Sequence, residues 1–215
     1  MPLCGAPGST ILSATAQCRI KISHRMQTFF KIDPTGDVTV LSLQSADATN
    51  RLTHSCVEAL TETVNELARD PKPLIITGNK HFFSAGADLA EIAALTGPAA
   101  YEFSKLGQTL MNAIERYPAP VYAAIHGYCM GGGLDLALAC HRRIVSPNAI
   151  FGHRGAALGL ITGWGGTQRL PRLVGKGRAL EMLVGAEKIH ASEALRIGLV
   201  DAVSENPVAS ARGIV

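Results

Sequence analysis

Apolar residues recur along this chain at two spacings, and the alternation between them lays out its elements. Val38-Thr39-Val40-Leu41-Ser42-Leu43 is a dense apolar run followed by a polar turn from Ser45 to Asn50, and it predicts a strand. Val57, Leu60, Val64 and Leu67 then return at three- and four-residue intervals, which predicts a helix from Thr53 to Ala68. Leu74 to Thr77 reads as a short buried strand, and Asp88 to Leu95 as the start of a helix or loop that Thr96-Gly97-Pro98 interrupts. Phe103, Leu106, Leu110 and Ile114 share one face of a helix over Tyr101 to Arg116, ended by Tyr117-Pro118-Ala119-Pro120. Beyond it come a strand-like run from Pro120 to Ile125, a small-residue helix from Leu134 to Cys140, and strands at Arg143 to Ser146 and Ala149 to Gly152. Helices are predicted at Thr167 to Val174, Gly177 to Val184 and Ala191 to Ile197. Strands alternating with helices argue an α/β protein with crossover connections.

Composition narrows the classes. A chain of 215 residues that is 47% hydrophobic supports one domain with a substantial core. Its most apolar segments are broken by Gly, Pro or charge before they reach the roughly 20 residues of a membrane helix, so no membrane span is expected. The net charge is +3 and no Lys/Arg block stands out, which gives a nucleic-acid partner no support. Five cysteines without a Cys-x-x-Cys pair and seven scattered histidines imply neither a disulfide framework nor a metal.

The candidate chemistry lies in two glycine-centred segments, His81-Phe82-Phe83-Ser84-Ala85-Gly86-Ala87-Asp88-Leu89 and Ala124-Ile125-His126-Gly127-Tyr128-Cys129-Met130-Gly131-Gly132-Gly133-Leu134-Asp135-Leu136. Each follows an apolar run and leads into a helical pattern. Backbone N–H groups at such turns lack partners and point outward, so two of them can converge on one developing negative oxygen, as an oxyanion hole does. Three further runs follow in order: Phe151-Gly152-His153-Arg154-Gly155-Ala156-Ala157-Leu158-Gly159, Gly163-Trp164-Gly165-Gly166-Thr167-Gln168-Arg169-Leu170, and Ala194-Leu195-Arg196-Ile197-Gly198-Leu199-Val200-Asp201. On these motifs the chain, from about Phe29 to Val203, resembles the enoyl-CoA hydratase/isomerase (crotonase) superfamily.

The resemblance implies a ClpP/crotonase-like spiral of ββα units over residues 29–205, with an extension over 1–28, a short tail over 206–215, and a shortened C-terminal helical segment. It implies an acyl-CoA thioester as substrate, no other cofactor, and a homotrimer or a hexamer built of two trimers. Carried over residue by residue, the oxyanion donors are the amides of Ala87 and Gly132. Asp135 is a proton-handling carboxylate at a position where related hydratases carry Glu. Asn50, Leu52, Ser84, Gly86, Asp88, Leu89 and Gly131 join Ala87 and Gly132 in holding substrate and CoA.

Departures from the family pattern are specific. Gly155 stands where hydratases carry a second catalytic Glu, so hydration by two carboxylates is not available; His153 and Arg154 are the neighbouring substitutes. Asp47 and Ala90 occupy positions where basic residues meet CoA phosphates, and His141 replaces a frequent Asp. Hydration, double-bond isomerisation and decarboxylation all fit the oxyanion hole. The second reading is a non-catalytic acyl-CoA-binding or assembly subunit of the same fold. A third, a Clp-type protease with Ser84 as nucleophile, lacks a Gly-x-Ser-x-Gly elbow. The first 28 residues hold Arg19, Lys21 and Arg25 and no acid, the composition of a transit peptide, unless Met26 is the start. The expected compartment is accordingly cytoplasmic, or mitochondrial if that segment is a transit peptide.

Overall fold

The fold is described from a computed structural model covering residues 28–214, so the reading of the N-terminal extension lies almost wholly outside the described residues. The chain enters through an antiparallel pair, β1 (Phe30–Thr35) and β2 (Val38–Leu43), in register from Phe30 opposite Leu43 to Thr35 opposite Val38. β1 is absent from the sequence expectations because Pro34 and the exposed Lys31 and Asp33 hide its alternation. As the edge strand of its sheet it tolerates the proline.

Three successive strand pairs then repeat one plan. β4 (Leu74–Thr77) and β5 (Phe82–Ser84), β7 (Val121–Ile125) and β8 (Tyr128–Met130), and β9 (Arg142–Val145) and β10 (Ile150–Gly152) each place the first strand in one sheet and the second in another. The large sheet runs β1-β2-β4-β7-β9-β12, with β12 at Ala202–Val203, and the smaller runs β11-β10-β8-β5, with β11 at Ile189–His190. Except at β1 and β11 the pairings in both sheets are parallel. β4 and β7 are buried throughout, which explains their continuous apolar runs. The step from β7 to β8 turns on Gly127 at φ +59°, where an added Cβ would lie 2.0 Å from the His81 carbonyl oxygen, so only glycine fits. A third pairing, β3 (Arg51–Leu52) with β6 (Gly86–Ala87), ties the first glycine-centred segment to the polar turn before it.

Helices cover the sheets. α1 (His54–Leu67) starts where the Thr53 hydroxyl accepts the Cys56 N–H at 3.2 Å, and it buries Val57, Leu60, Val64 and Leu67. After the short α2 (Leu89–Ala93), α3 (Gly97–Glu115) buries Leu110, Met111 and Ile114 within the same core as α1. α3 starts one turn before the expected Tyr101, because Pro98 sits in its first turn, where its missing N–H costs nothing. α4 (Gly132–Ala139) is buried along its whole length. α5 (Gly166–Val174), α6 (Lys176–Val184) and α7 (Ala191–Arg196) follow close to their predicted spans. Residues expected as a tail include α8 (Pro207–Ile214), whose Ala211 closes a second apolar cluster on the large sheet with Val40, Ile75, Tyr122 and Ile144. Among the described residues, no helix is long and apolar enough to cross a membrane.

Candidate active site

β6, the start of α4, α3 and the 3-10 turn Arg154–Leu158 enclose a cavity of about 330 Å³, lined largely by apolar side chains. Gly86 at φ +95° and Gly131 at φ +50° adopt backbone that L side chains rarely take, and between them they bring Ala87 and Gly132 to one wall. A Cβ on Gly132 would lie 3.3 Å from the Ala87 nitrogen, and one on Gly86 would lie 3.0 Å from the Gly132 nitrogen. Gly132 opens α4, so its N–H has no partner four residues back. The glycine run is required by close packing as well: a Cβ on Gly132 would meet the Trp164 ring at 2.4 Å, and one on Gly133 would meet the Ser84 Cβ at 2.7 Å.

Asp135, one turn into α4, is 2% exposed and lines the same cavity. The Thr162 hydroxyl donates to its Oδ2 at 2.5 Å, while its Oδ1 faces His153 Nε2 at 3.4 Å. Oδ1 and Nε2 are both buried and neither makes a hydrogen bond among the described residues, so their approach is a close contact and not a formed bond. Burial pushes the Asp135 carboxyl up to about 7, against the Thr162 hydroxyl, the Arg169 charge and the Gly166 amide, which all favour the ionised form. Burial pushes the His153 imidazole down to about 4. Arg169 is itself held by Glu115 at 2.6 Å and Asn112 at 2.8 Å.

The structure sorts the sequence-predicted residues into two sets. Ala87, Leu89, Gly131, Gly132 and Asp135 line the cavity; Asn50, Leu52, Ser84, Gly86 and Asp88 form the frame behind or beside it. Asn50, at φ +53°, donates from Nδ2 to the Phe82 and Phe83 carbonyls. Leu52 is a fully buried core residue. The Ser84 hydroxyl donates to the Asn50 carbonyl at 2.6 Å and accepts the Gly86 N–H at 3.1 Å, a fully buried serine committed to the backbone; the protease reading loses its nucleophile. Asp88 caps α2 through the N–H groups of Ala90 and Glu91 and meets Arg51 at 3.2 Å. Asp47 also holds Arg51, at 2.7 Å, and its hydrogen bonds from Ser45 and Thr49 keep its carboxyl at about 2. Ala90 is exposed, and His141 bonds the Val121 N–H and the Glu115 carbonyl at the end of α3.

Gly155 lines the cavity, and a Cβ there would crowd the Leu160 carbonyl oxygen at 3.0 Å. Thr162 and Trp164 were not singled out as site residues from the sequence. Trp164 is 3% exposed, packs against Phe103 at 5.3 Å between ring centroids, and donates from Nε1 to the Phe103 carbonyl. The sequence signal that goes with it is Gly107 on the buried face of α3, where a Cβ would meet the indole at 2.1 Å. Among the described residues, no cluster of three or more His, Cys, Asp or Glu is arranged to hold a metal.

The enoyl-CoA hydratase/isomerase family model matches residues 34–211. Crotonyl-CoA hydratase of Syntrophomonas wolfei is 43% identical over 169 residues, covering 77% of this chain and 65% of that protein. Short-chain-enoyl-CoA hydratase of Clostridium acetobutylicum is 38% identical over 177 residues, covering 81% of this chain and 68% of the relative. The chain thus spans about two thirds of the length of these curated relatives. Among solved structures, enoyl-CoA hydratase of Thermoplasma volcanium superposes with a TM-score of 0.84 at 30% identity, over 89% of this chain and 78% of that one.

Proposed function

Since this chain belongs to the enoyl-CoA hydratase/isomerase family, we propose that it acts on a 2-enoyl-CoA thioester by hydratase-type chemistry through an enolate. One observation carries the reading: the amides of Ala87 and Gly132 meet at one wall of an apolar cavity that also holds Asp135. Addition to the β carbon pushes electrons onto the thioester oxygen. Two preorganised N–H donors in a water-poor cavity stabilise that charge by about 3 kcal/mol each, judged by what one such donor supplies elsewhere. Because the donors are backbone groups, their placement depends on Gly86, Gly131 and Gly132 rather than on side-chain chemistry. Asp135 stands one turn along the same helix and lines the cavity, which supports its role as the proton-handling carboxylate.

CoA itself is the bound part of the substrate, and no further cofactor is needed for this chemistry. Arg154, exposed on the cavity rim and without an ion-pair partner among the described residues, offers a cation to its anionic groups. Exposed Leu158, Ile161, Leu180 and Val184 favour self-association, which we assign to a trimer or a pair of trimers. Sedimentation of the purified chain checks the assembly. A purely binding subunit is not favoured, because the relatives above are named as hydratases.

The test is loss of the conjugated thioester absorbance when the protein meets a short-chain 2-enoyl-CoA. Turnover that is abolished in Asp135→Ala is the expected result. No turnover by the wild-type protein, with binding intact, would refute hydratase chemistry.

A further inference from the structure

The cavity holds a second buried titratable group that the family chemistry does not use. His153 is 4% exposed and its Nε2 lies 3.4 Å from Asp135 Oδ1, and neither atom makes a hydrogen bond among the described residues. The two sit on different elements: Asp135 is on α4, whereas His153 precedes the 3-10 turn after β10. Both line the cavity that contains the Ala87 and Gly132 amides. At Gly155 the wall carries no side-chain acid.

We propose that His153 takes over the work of the absent second carboxylate, forming with Asp135 one acid–base pair that passes a single proton between water and the substrate's α carbon. This rests on the enolate reading above. In the step, the water oxygen bonds to Cβ, its proton goes to the pair, and the C=C electrons move onto the thioester oxygen. The enolate then collapses as the pair returns that proton to Cα; one water is added and the pair ends as it began. A shared proton is the arrangement that burial favours. A lone buried carboxylate or imidazolium is costly, and each group turns an unpaired polar atom toward the other's. Thr162 donates to Oδ2 and so leaves Oδ1 for the exchange. The other groups facing the pair are the Gly166 amide and Arg169 of α5, the latter held by Glu115, and Cys129 of β8, whose thiol burial keeps protonated.

The pair is tested by carbon NMR titration of the Asp135 carboxyl and His153 imidazole, assigned with Asp135→Asn and His153→Gln. If one proton is shared, both nuclei report the same two midpoints, and Asp135→Asn moves the His153 midpoint down by a unit or more. Independent midpoints in the wild-type protein would overturn the proposal, even if neither variant folds. Function is followed by incorporation of solvent deuterium at Cα during hydration. His153→Gln is expected to lower that rate at least 100-fold and to alter its pH profile, while binding of a saturated acyl-CoA persists. Wild-type rates in His153→Gln would overturn the role of His153 and leave the enolate reading standing. No hydration by a wild-type protein whose pair titrates as one would overturn the enolate reading, and the transfer step with it.

Discussion

Removing either member of the buried pair should unmask a pH dependence of stability that the other cancels. The Asp135 carboxyl rises from its ordinary 3.8 to about 7 on folding, so between those values the native state keeps a proton that the unfolded chain has lost. Stability therefore falls as pH rises through that window, by about 4 kcal/mol in all at 1.36 kcal/mol per unit. His153 does the reverse: its folded value drops from 6.5 to about 4, so the unfolded chain holds the extra proton. Stability rises with pH across that window, by about 3 kcal/mol. In the wild-type protein the two slopes oppose each other and leave about 1 kcal/mol. Asp135→Asn removes the falling slope, so relative to wild type it should gain stability from pH 4 to 7. His153→Gln removes the rising slope, and should lose stability relative to wild type from pH 4 to 6.5. Urea denaturation of the three proteins across this range measures both differences. Offsets from wild type that stay constant with pH would refute the reasoning, since they would mean that neither group changes its protonation on folding.

Gly132→Ala drives a Cβ into the Trp164 ring, and should cost about 1–3 kcal/mol while displacing one proposed oxyanion donor; thermal unfolding and enoyl-CoA turnover should fall together. Ser84→Ala should destabilise by about 1–3 kcal/mol by orphaning the Asn50 carbonyl and Gly86 N–H, and the wild-type serine should be inert to fluorophosphonates. Glu115→Ala strips the shortest partner from the buried Arg169 but leaves Asn112, and since Glu115 is half exposed it should cost about 1–2 kcal/mol, with no shift in the pH of half-maximal turnover beyond a few tenths. Trp164→Ala should enlarge the cavity and shift preference toward longer acyl chains in a turnover series, at a cost of about 3–5 kcal/mol in stability.

What was legible in the sequence followed from periodicity and from residues whose role is local. α1 was visible because Val57, Leu60, Val64 and Leu67 face one core, and β2 and β4 because both are apolar runs. The glycine turns that set Ala87 and Gly132 side by side were visible as motifs, while the choice of those two amides as donors came from the family resemblance and remains a proposal. By contrast, the His153–Asp135 approach joins residues from two elements across a cavity, and no spacing in the chain encodes it. Asn50 and Ser84 lay in the right motifs, yet their hydrogen bonds turn them inward to the backbone, a distinction that only three-dimensional partners reveal. α8 was missed because only Ala211 and Pro207 of its short sequence are buried, too few to make a period.

Trp164 has an optical consequence. It is the chain's only tryptophan, sealed in the wall behind Gly132 with its indole N–H already bonded to the Phe103 carbonyl. Its emission should therefore be that of a dry, rigid indole, and it lines the cavity that a ligand would fill. The protein carries its own fluorescent gauge of ligand occupancy at the site where the chemistry is proposed, so binding can be followed even in variants that turn nothing over.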